Sequence, residues 1–215
     1  MREMAVLGGA IREGRVLASG EGPVLVDPNA DPAKDAIYAT RGVILGGGVS
    51  RTSRTLGLVL KPEHQSVFNS ARIQTVINRR FSLVHRGIQE GVAKAKTNEY
   101  IELKVHPRYK DNIERYLAVI RAIPLKDNET DRVRRITELQ QQLLNPDTAA
   151  SAAIKLEAMG NPSVKALKEV LQSPHVPIRF YAAEALAYLD CPDAAPVLGQ
   201  IARDEPAFRV YALSA

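Results

Sequence analysis

Between Thr55 and Leu125 the spacing of apolar positions changes from one regular pattern to the next without a break. Leu56, Leu58 and Leu60 alternate with Gly57 and Val59, the period of a half-buried strand. Val67, Ile73, Ile77 and Phe81 then return at helical intervals, with Gln65, Asn69, Arg72, Gln74, Arg79 and Arg80 on the polar side. Lys61-Pro62-Glu63 places a proline and an acid where a helix opens, so the pattern predicts a helix from there to about Phe81. A short link through Gly87 and Gly91 leads to Val92–Lys96, which alternates; Thr97-Asn98-Glu99 supplies turn residues, and Tyr100–Val105 alternates again. That pattern predicts a hairpin. After His106-Pro107, the residues Ile113, Tyr116, Leu117, Ile120 and Ile123 fall on one face of a second helix. The whole reads as one βαββα block, and no catalytic apparatus stands out in it.

Upstream the pattern is weaker. Gly8, Gly9, Gly14, Gly20 and Gly22 interrupt short apolar patches, so residues 1–22 read as loose extended structure. The apolar run from Gly22 to Pro28 predicts a short strand, Asn29–Asp35 a polar loop, and Ile37–Ala39 and Val43–Leu45 two further strands. Gly46-Gly47-Gly48 with the following Ser, Arg and Thr residues superficially resembles a phosphate loop. It lacks the Gly-Lys-Ser/Thr ending and is followed by a strand, so it reads as a flexible basic connector.

Downstream of Arg132 the chain repeats itself. Ala152 recurs as Ala182 and Ala212, Leu156 as Leu186, Pro162 as Pro192, Leu171 as Ile201 and Arg179 as Arg209, each at a spacing of 30. Each unit is a helix ending near Gly160 or Asp190, a turn with proline, and a second helix. The run Val176-Pro177-Ile178-Arg179-Phe180-Tyr181-Ala182-Ala183-Glu184-Ala185-Leu186 closely resembles a HEAT repeat. That resemblance implies an α-solenoid whose concave surface takes a protein partner. The last unit stops partway, so further repeats are expected to follow in the natural protein.

The stretch before the repeats resembles a second family. Leu58-Val59-Leu60, the helix carrying Ala71, Ile73, Ile77-Asn78 and Phe81, the hairpin from Ala93 to Val105 and the helix from Pro107 to Ile120 look like the core of the bacterial flagellar P-ring protein. The glycine-marked stretch from Ala39 to Gly48 is similar to that family's apolar strand followed by paired glycines. The resemblance covers about residues 37–125; a P-ring subunit is longer than the part matched and does not normally continue into such helices. It implies a structural subunit that self-associates into a ring in the cell envelope.

The expected fold class is therefore α+β: a small ring-building-type βαββα domain with extra N-terminal strands, followed by an all-α HEAT-like solenoid. The domains fall at 1–125 and 136–215, with 126–135 as a linker or the start of the first helix. Composition changes this picture little. Among 215 residues, 45% are hydrophobic and 25% charged, which argues against wholesale disorder. With no Trp and 5% aromatic residues, the chain lacks the makings of a stacking surface for single-stranded nucleic acid. A net charge of +5 permits contact with anionic partners, cell-wall polymer included, without choosing among them. The lone Cys191 excludes an internal disulfide and reads as a half-buried turn residue.

Candidate chemistry narrows the function by elimination. His64, His85, His106 and His175 include no pair at helical ligand spacing, so neither a metal nor a cofactor is expected. No Gly-x-Ser-x-Gly frame surrounds a serine, and Glu63, Glu102 and Glu114 read as solvated acids. Arg72, Arg79, Arg80 and Arg86, the candidate protein-contact residues, read as a basic stripe along the first helix that is either a solvated face or a contact with an acidic neighbouring subunit or an anionic wall polymer. Arg179 and Arg209 share one repeat position and are expected to hold successive units together. No run is long enough to span a bilayer, and the first ten residues lack a signal-peptide core. The chain thus reads as a non-enzymatic assembly protein, with protein partners and no nucleic acid. By resemblance it lies in the periplasm, as part of a longer exported protein; the alternative is a cytoplasmic adaptor unrelated to flagella.

Overall fold

The computed structural model describes residues 2–7, 10–26, 42–52, 55–85, 87–126 and 128–215. The strand expected at Ile37–Ala39, the loop at Asn29–Asp35 and Arg86 lie outside these residues. The chain divides into two compact units, residues 1–55 and 56–215.

In the first unit, small antiparallel pairs replace the loose extended structure expected for residues 1–22. β1 (Arg2–Leu7) pairs with β2 (Ala10–Val16) in a register that sets Leu7 opposite Ala10 and Met4 opposite Glu13, with an irregularity between Arg2 and Met4. Pairing satisfies the backbone groups of such strands whatever their side chains. β3 (Ala18–Ser19) pairs with β6 (Val49–Ser50), and nested inside it β4 (Val24–Leu25) pairs with β5 (Val43–Ile44). The expected strands around Val24 and Val43 are thus present. The glycine stretch is a turn rather than a flexible connector: Gly47 takes φ 64° and its N–H donates to the Ile44 carbonyl at 2.9 Å. Arg51 is drawn back by Nε donating to Ser19 Oγ at 2.8 Å.

The second unit opens with the βαββα block. β7 (Leu56–Val59), β10 (Ala93–Ala95) and β11 (Tyr100–Leu103) form one antiparallel sheet in the order β10-β11-β7, which brings Ile101 opposite Leu58. Both helices start later than their prolines suggest. Pro62–His64 and Pro107–Tyr109 each make a single 3-10 turn. Capping residues then restart the chain as α1 (Val67–Arg80) and α2 (Ile113–Ala122). Ser66 accepts from the Asn69 N–H at 3.0 Å and Asn112 from the Arg115 N–H at 3.1 Å. A side-chain acceptor satisfies an otherwise orphaned helix N–H, and proline only fixes φ, so the cap decides the start.

The link expected between Phe81 and Val92 is instead a hairpin. β8 (Ser82–His85) and β9 (Ile88–Gly91) pair with His85 opposite Ile88, and Gly87 supplies the φ of 78° that such a tight turn requires. Gly91 has a steric role. Asn78 on α1 accepts from the Ala93 N–H at 2.8 Å and donates to the Ala93 carbonyl at 2.9 Å, and a Cβ on Gly91 would lie 2.3 Å from Asn78 Cγ. Gly91→Ala is expected to lower stability by about 1–3 kcal/mol, measured by urea denaturation, because the clash displaces the side chain that clamps helix to strand.

Six helices follow: α3 (Glu129–Leu143), α4 (Pro146–Met159), α5 (Val164–Glu169), α6 (Val176–Tyr188), α7 (Ala194–Asp204) and α8 (Arg209–Ser214). The repeat seen in the sequence is a packing repeat. Ala152, Ala182 and Ala212 are all buried, as are Leu156 and Leu186, because alanine lets neighbouring helices approach closely and leucine fills the space beside them. Gly160 and Asp190, 30 residues apart, both take positive φ where a helix ends, at 76° and 59°. Arg179 Nη1 donates to the Ser173 carbonyl at 2.7 Å and Arg209 Nε to the Ala202 carbonyl at 2.8 Å, so this repeat position ties each helix to the residues before it.

The helices have their own core, and the βαββα block has another. The second core is completed from the helical side: Ala158 of α4 and Tyr188 of α6 pack with Phe81, Tyr109, Tyr116 and Ile101. The two halves therefore share one compact unit.

Candidate functional site

Two features of the second unit gather charge. The first is buried. α2 carries Arg115 into the seam between the βαββα block and the helices, where it meets Glu157 of α4 and Glu184 of α6. Arg115 Nη2 and Nε both donate to Glu157 Oε2, at 2.5 and 3.0 Å, and Nη1 reaches Glu184 Oε2 at 2.5 Å. Tyr109 donates its hydroxyl to Glu157 Oε1 at 2.6 Å, so both oxygens of a completely buried carboxylate are engaged. Aromatic rings enclose the cluster: Tyr109 stacks on Tyr188 at 4.7 Å, and the Arg115 guanidinium lies 4.6 Å from the Tyr188 ring centre.

The electrostatics follow from this burial. Loss of water pushes the Glu157 carboxyl above the usual range, against the pull of Arg115. Burial also disfavours charge on Arg115, but Glu157 and Glu184 outweigh it and hold the guanidinium protonated. Burial, reinforced by the charge of Glu157, raises the Tyr109 hydroxyl, which is therefore a donor and not a base. Every member has a partner, and no buried side-chain polar atom among the described residues is left unsatisfied. A saturated network of this kind holds structure together; it offers no free base or nucleophile.

Neighbouring contacts widen the seam. Arg80 donates from Nε and Nη2 to the Glu157 carbonyl at 3.1 and 2.9 Å, and Arg108 donates from Nη1 to the Tyr188 carbonyl at 2.9 Å while pairing with Asp190. His106 packs on Phe81, and burial, then the nearby Arg108 and Arg80, lower its pKa from 6.5. Folding therefore favours neutral His106. Its contribution is complete above the unfolded pKa near 6.5 and is lost as pH falls through the lower folded value. His106→Asn is expected to flatten the decline in stability below pH 6.5, read as the difference between variant and parent in denaturation midpoints across an acid series.

The second feature is an open groove of about 660 Å3 between α1, the connector after α2 and the turn after α4. Arg72, Arg79 and Arg80 line it together, so three of the four stripe residues meet at one place; the fourth, Arg86, lies outside the described residues. Lys126 and Arg132 join them from outside the stripe. Arg72 donates from Nη2 and Nε to the Leu125 carbonyl at 3.0 and 3.2 Å, which fixes the connector against α1.

Helical spacing in the sequence brings Arg72, Arg79 and Arg80 of the stripe onto one element, whereas the seam draws on three. Glu157 and Glu184 each interrupt an Ala/Leu run on the face that the repeat buries, and an acid at such a position is the one available signal. The acids singled out instead are peripheral: Glu63 and Glu114 are exposed, and Glu102 pairs with Lys96 at 2.6 Å. Among the described residues no group of His, Cys, Asp and Glu is disposed to hold a metal, and no helix is long and apolar enough to cross a membrane.

Residues 136–215 match the family of HEAT repeats. The helical half is a HEAT segment. The match begins at Ile136, inside α3, and runs through α8. HEAT repeats imply protein partners, because stacked helix pairs present extended surfaces to other chains. Nothing in the comparisons supports the flagellar P-ring resemblance of the preceding residues. No curated protein and no solved structure matches the chain.

Proposed function

We propose that this protein is a non-enzymatic protein-binding scaffold in which the HEAT segment and the βαββα block act as a single platform. The observation that carries the reading is the seam: Arg115 of the block is held by Glu157 and Glu184 of the HEAT segment, away from solvent. A partner bound to the repeats would therefore load the block directly through this seam. The test is cross-linking of the tagged full chain in the cells that make it, followed by peptide mapping of the links. Partner cross-links within residues 56–215 are expected. Catalytic turnover of a captured small molecule, or no stoichiometric partner, would overturn the reading.

A second reading, a ring-forming subunit of the flagellar P ring in the periplasm, rests on the sequence resemblance of residues 37–125 alone, and the β8–β9 hairpin between α1 and β10 is not part of what that resemblance implies. That reading requires enrichment of the tagged chain in purified flagellar basal bodies. A cytoplasmic pool with no flagellar association would leave the adaptor.

A further inference from the structure

The groove beside α1 bears on the chemistry of the partner, whose existence rests on the scaffold reading. Among the described residues five cations line the groove, Arg72, Arg79, Arg80, Lys126 and Arg132, and none of the described lining residues is a carboxylate. Three are engaged locally: Arg72 with the Leu125 carbonyl, Arg80 with the Glu157 carbonyl, and Arg132 with Glu129. Only the last of these contacts neutralises a charge. Arg79 and Lys126 are exposed and make no hydrogen bond or ion pair among the described residues. Like charges gathered in one concavity raise the local potential and favour an anionic occupant.

The apolar part of the wall narrows the choice. Val76, Ile123 and Leu125 line the groove and also line an adjoining pit of about 170 Å3, whose remaining walls include Leu58, Ile73 and Ile120. The pit suits an aliphatic side chain, and the groove beside it suits carboxylates. Among the described residues no aromatic side chain lines either, so a nucleic acid would engage the arginines and leave the pit unfilled. An anionic polysaccharide or wall polymer would satisfy the cations but leave the pit unfilled.

We infer that the groove and pit together form a docking site for an acidic peptide segment of the partner, with an aliphatic residue anchored in the pit and neighbouring Asp or Glu side chains on Arg79 and Lys126. The charged rim sets orientation and association rate, and the anchor supplies the desolvated contact.

The test uses the full chain and a short fluorescein-labelled peptide of alternating leucine and glutamate, followed by fluorescence anisotropy at physiological salt. Oligoglutamate and an oligouridylate serve as competitors. The leucine–glutamate probe is expected to bind and to resist displacement by oligoglutamate, which lacks the anchor. The double variant Arg79→Glu/Lys126→Glu is expected to weaken binding by about tenfold or more. Both side chains are exposed and have no partner among the described residues, and an unchanged circular dichroism spectrum verifies the fold. Leu125→Ser, at a half-exposed position, is expected to weaken binding while leaving its salt dependence intact. Equal binding by the double variant, absence of binding, or more effective displacement by oligouridylate overturns the inference. The two readings separate in the cross-linking experiment: partner links that survive in the double variant sink the groove and leave the scaffold, whereas absence of any partner link sinks both.

Discussion

Arg115→Met is expected to lower the stability of the second unit by about 3–5 kcal/mol, since it leaves two buried carboxylates facing each other without their cation. Methionine preserves much of the side-chain volume, so the loss reports charge rather than a cavity. Glu157 would suffer most. It is completely buried, and Tyr109 would remain as its one side-chain donor. Replacing the whole set, Arg115→Met with Glu157→Leu and Glu184→Leu, is expected to recover most of the loss, because a buried ion network is opposed by the desolvation of each member. Urea denaturation followed by far-UV circular dichroism checks both variants; the chain has no Trp to serve as a fluorescent reporter. A triple variant no more stable than the single one would show that the acids matter for packing beyond their charge.

The second large effect concerns separability. A fragment of residues 56–126 is expected not to fold alone, while residues 56–215 fold as a cooperative unit. The sequence boundary near residue 130 makes such a fragment look like a natural domain, yet its core is closed by Ala158 and Tyr188 of the HEAT segment. Removing them uncovers Tyr109, which is fully buried in the intact chain and stacked on Tyr188. A block of that size also buries too little apolar surface to offset the entropy of ordering it. Proton NMR dispersion of the two fragments distinguishes the outcomes. A well-dispersed spectrum from 56–126 would mean that the seam joins two finished domains rather than completing one.

Which features were legible from the sequence depends on the range over which each is specified. The β7–α1–β10–β11–α2 order followed from apolar spacing, because period two and period 3.6 are imposed locally by backbone geometry. The helical repeat followed from a 30-residue identity of small and large positions, since each unit must pack on the next in the same way. Helix starts were less legible. Proline and the true cap lie four or five residues apart at Pro62 and Ser66, and at Pro107 and Asn112, and which one prevails depends on where the chain turns. The hairpin of β8 and β9 was hidden because its short strands carry mixed side chains and its turn rests on Gly87.

The stripe of Arg72, Arg79 and Arg80 was visible because one helix presents it. Its meeting with Lys126 and Arg132 was not, because those residues approach from other elements. The same holds for the seam, where Arg115, Glu157 and Glu184 stand 42 residues apart for the first pair and reach one another only when α2, α4 and α6 have packed. Sequence alone determined the order β7–α1–β10–β11–α2 and the helical repeat of this protein, the first because backbone periodicity is local and the second because each unit must present the same small and large positions to the next. The tertiary structure alone decided which charges are buried together and which line a groove, because opposite charges distant in sequence are brought together only by the packing of the elements that carry them.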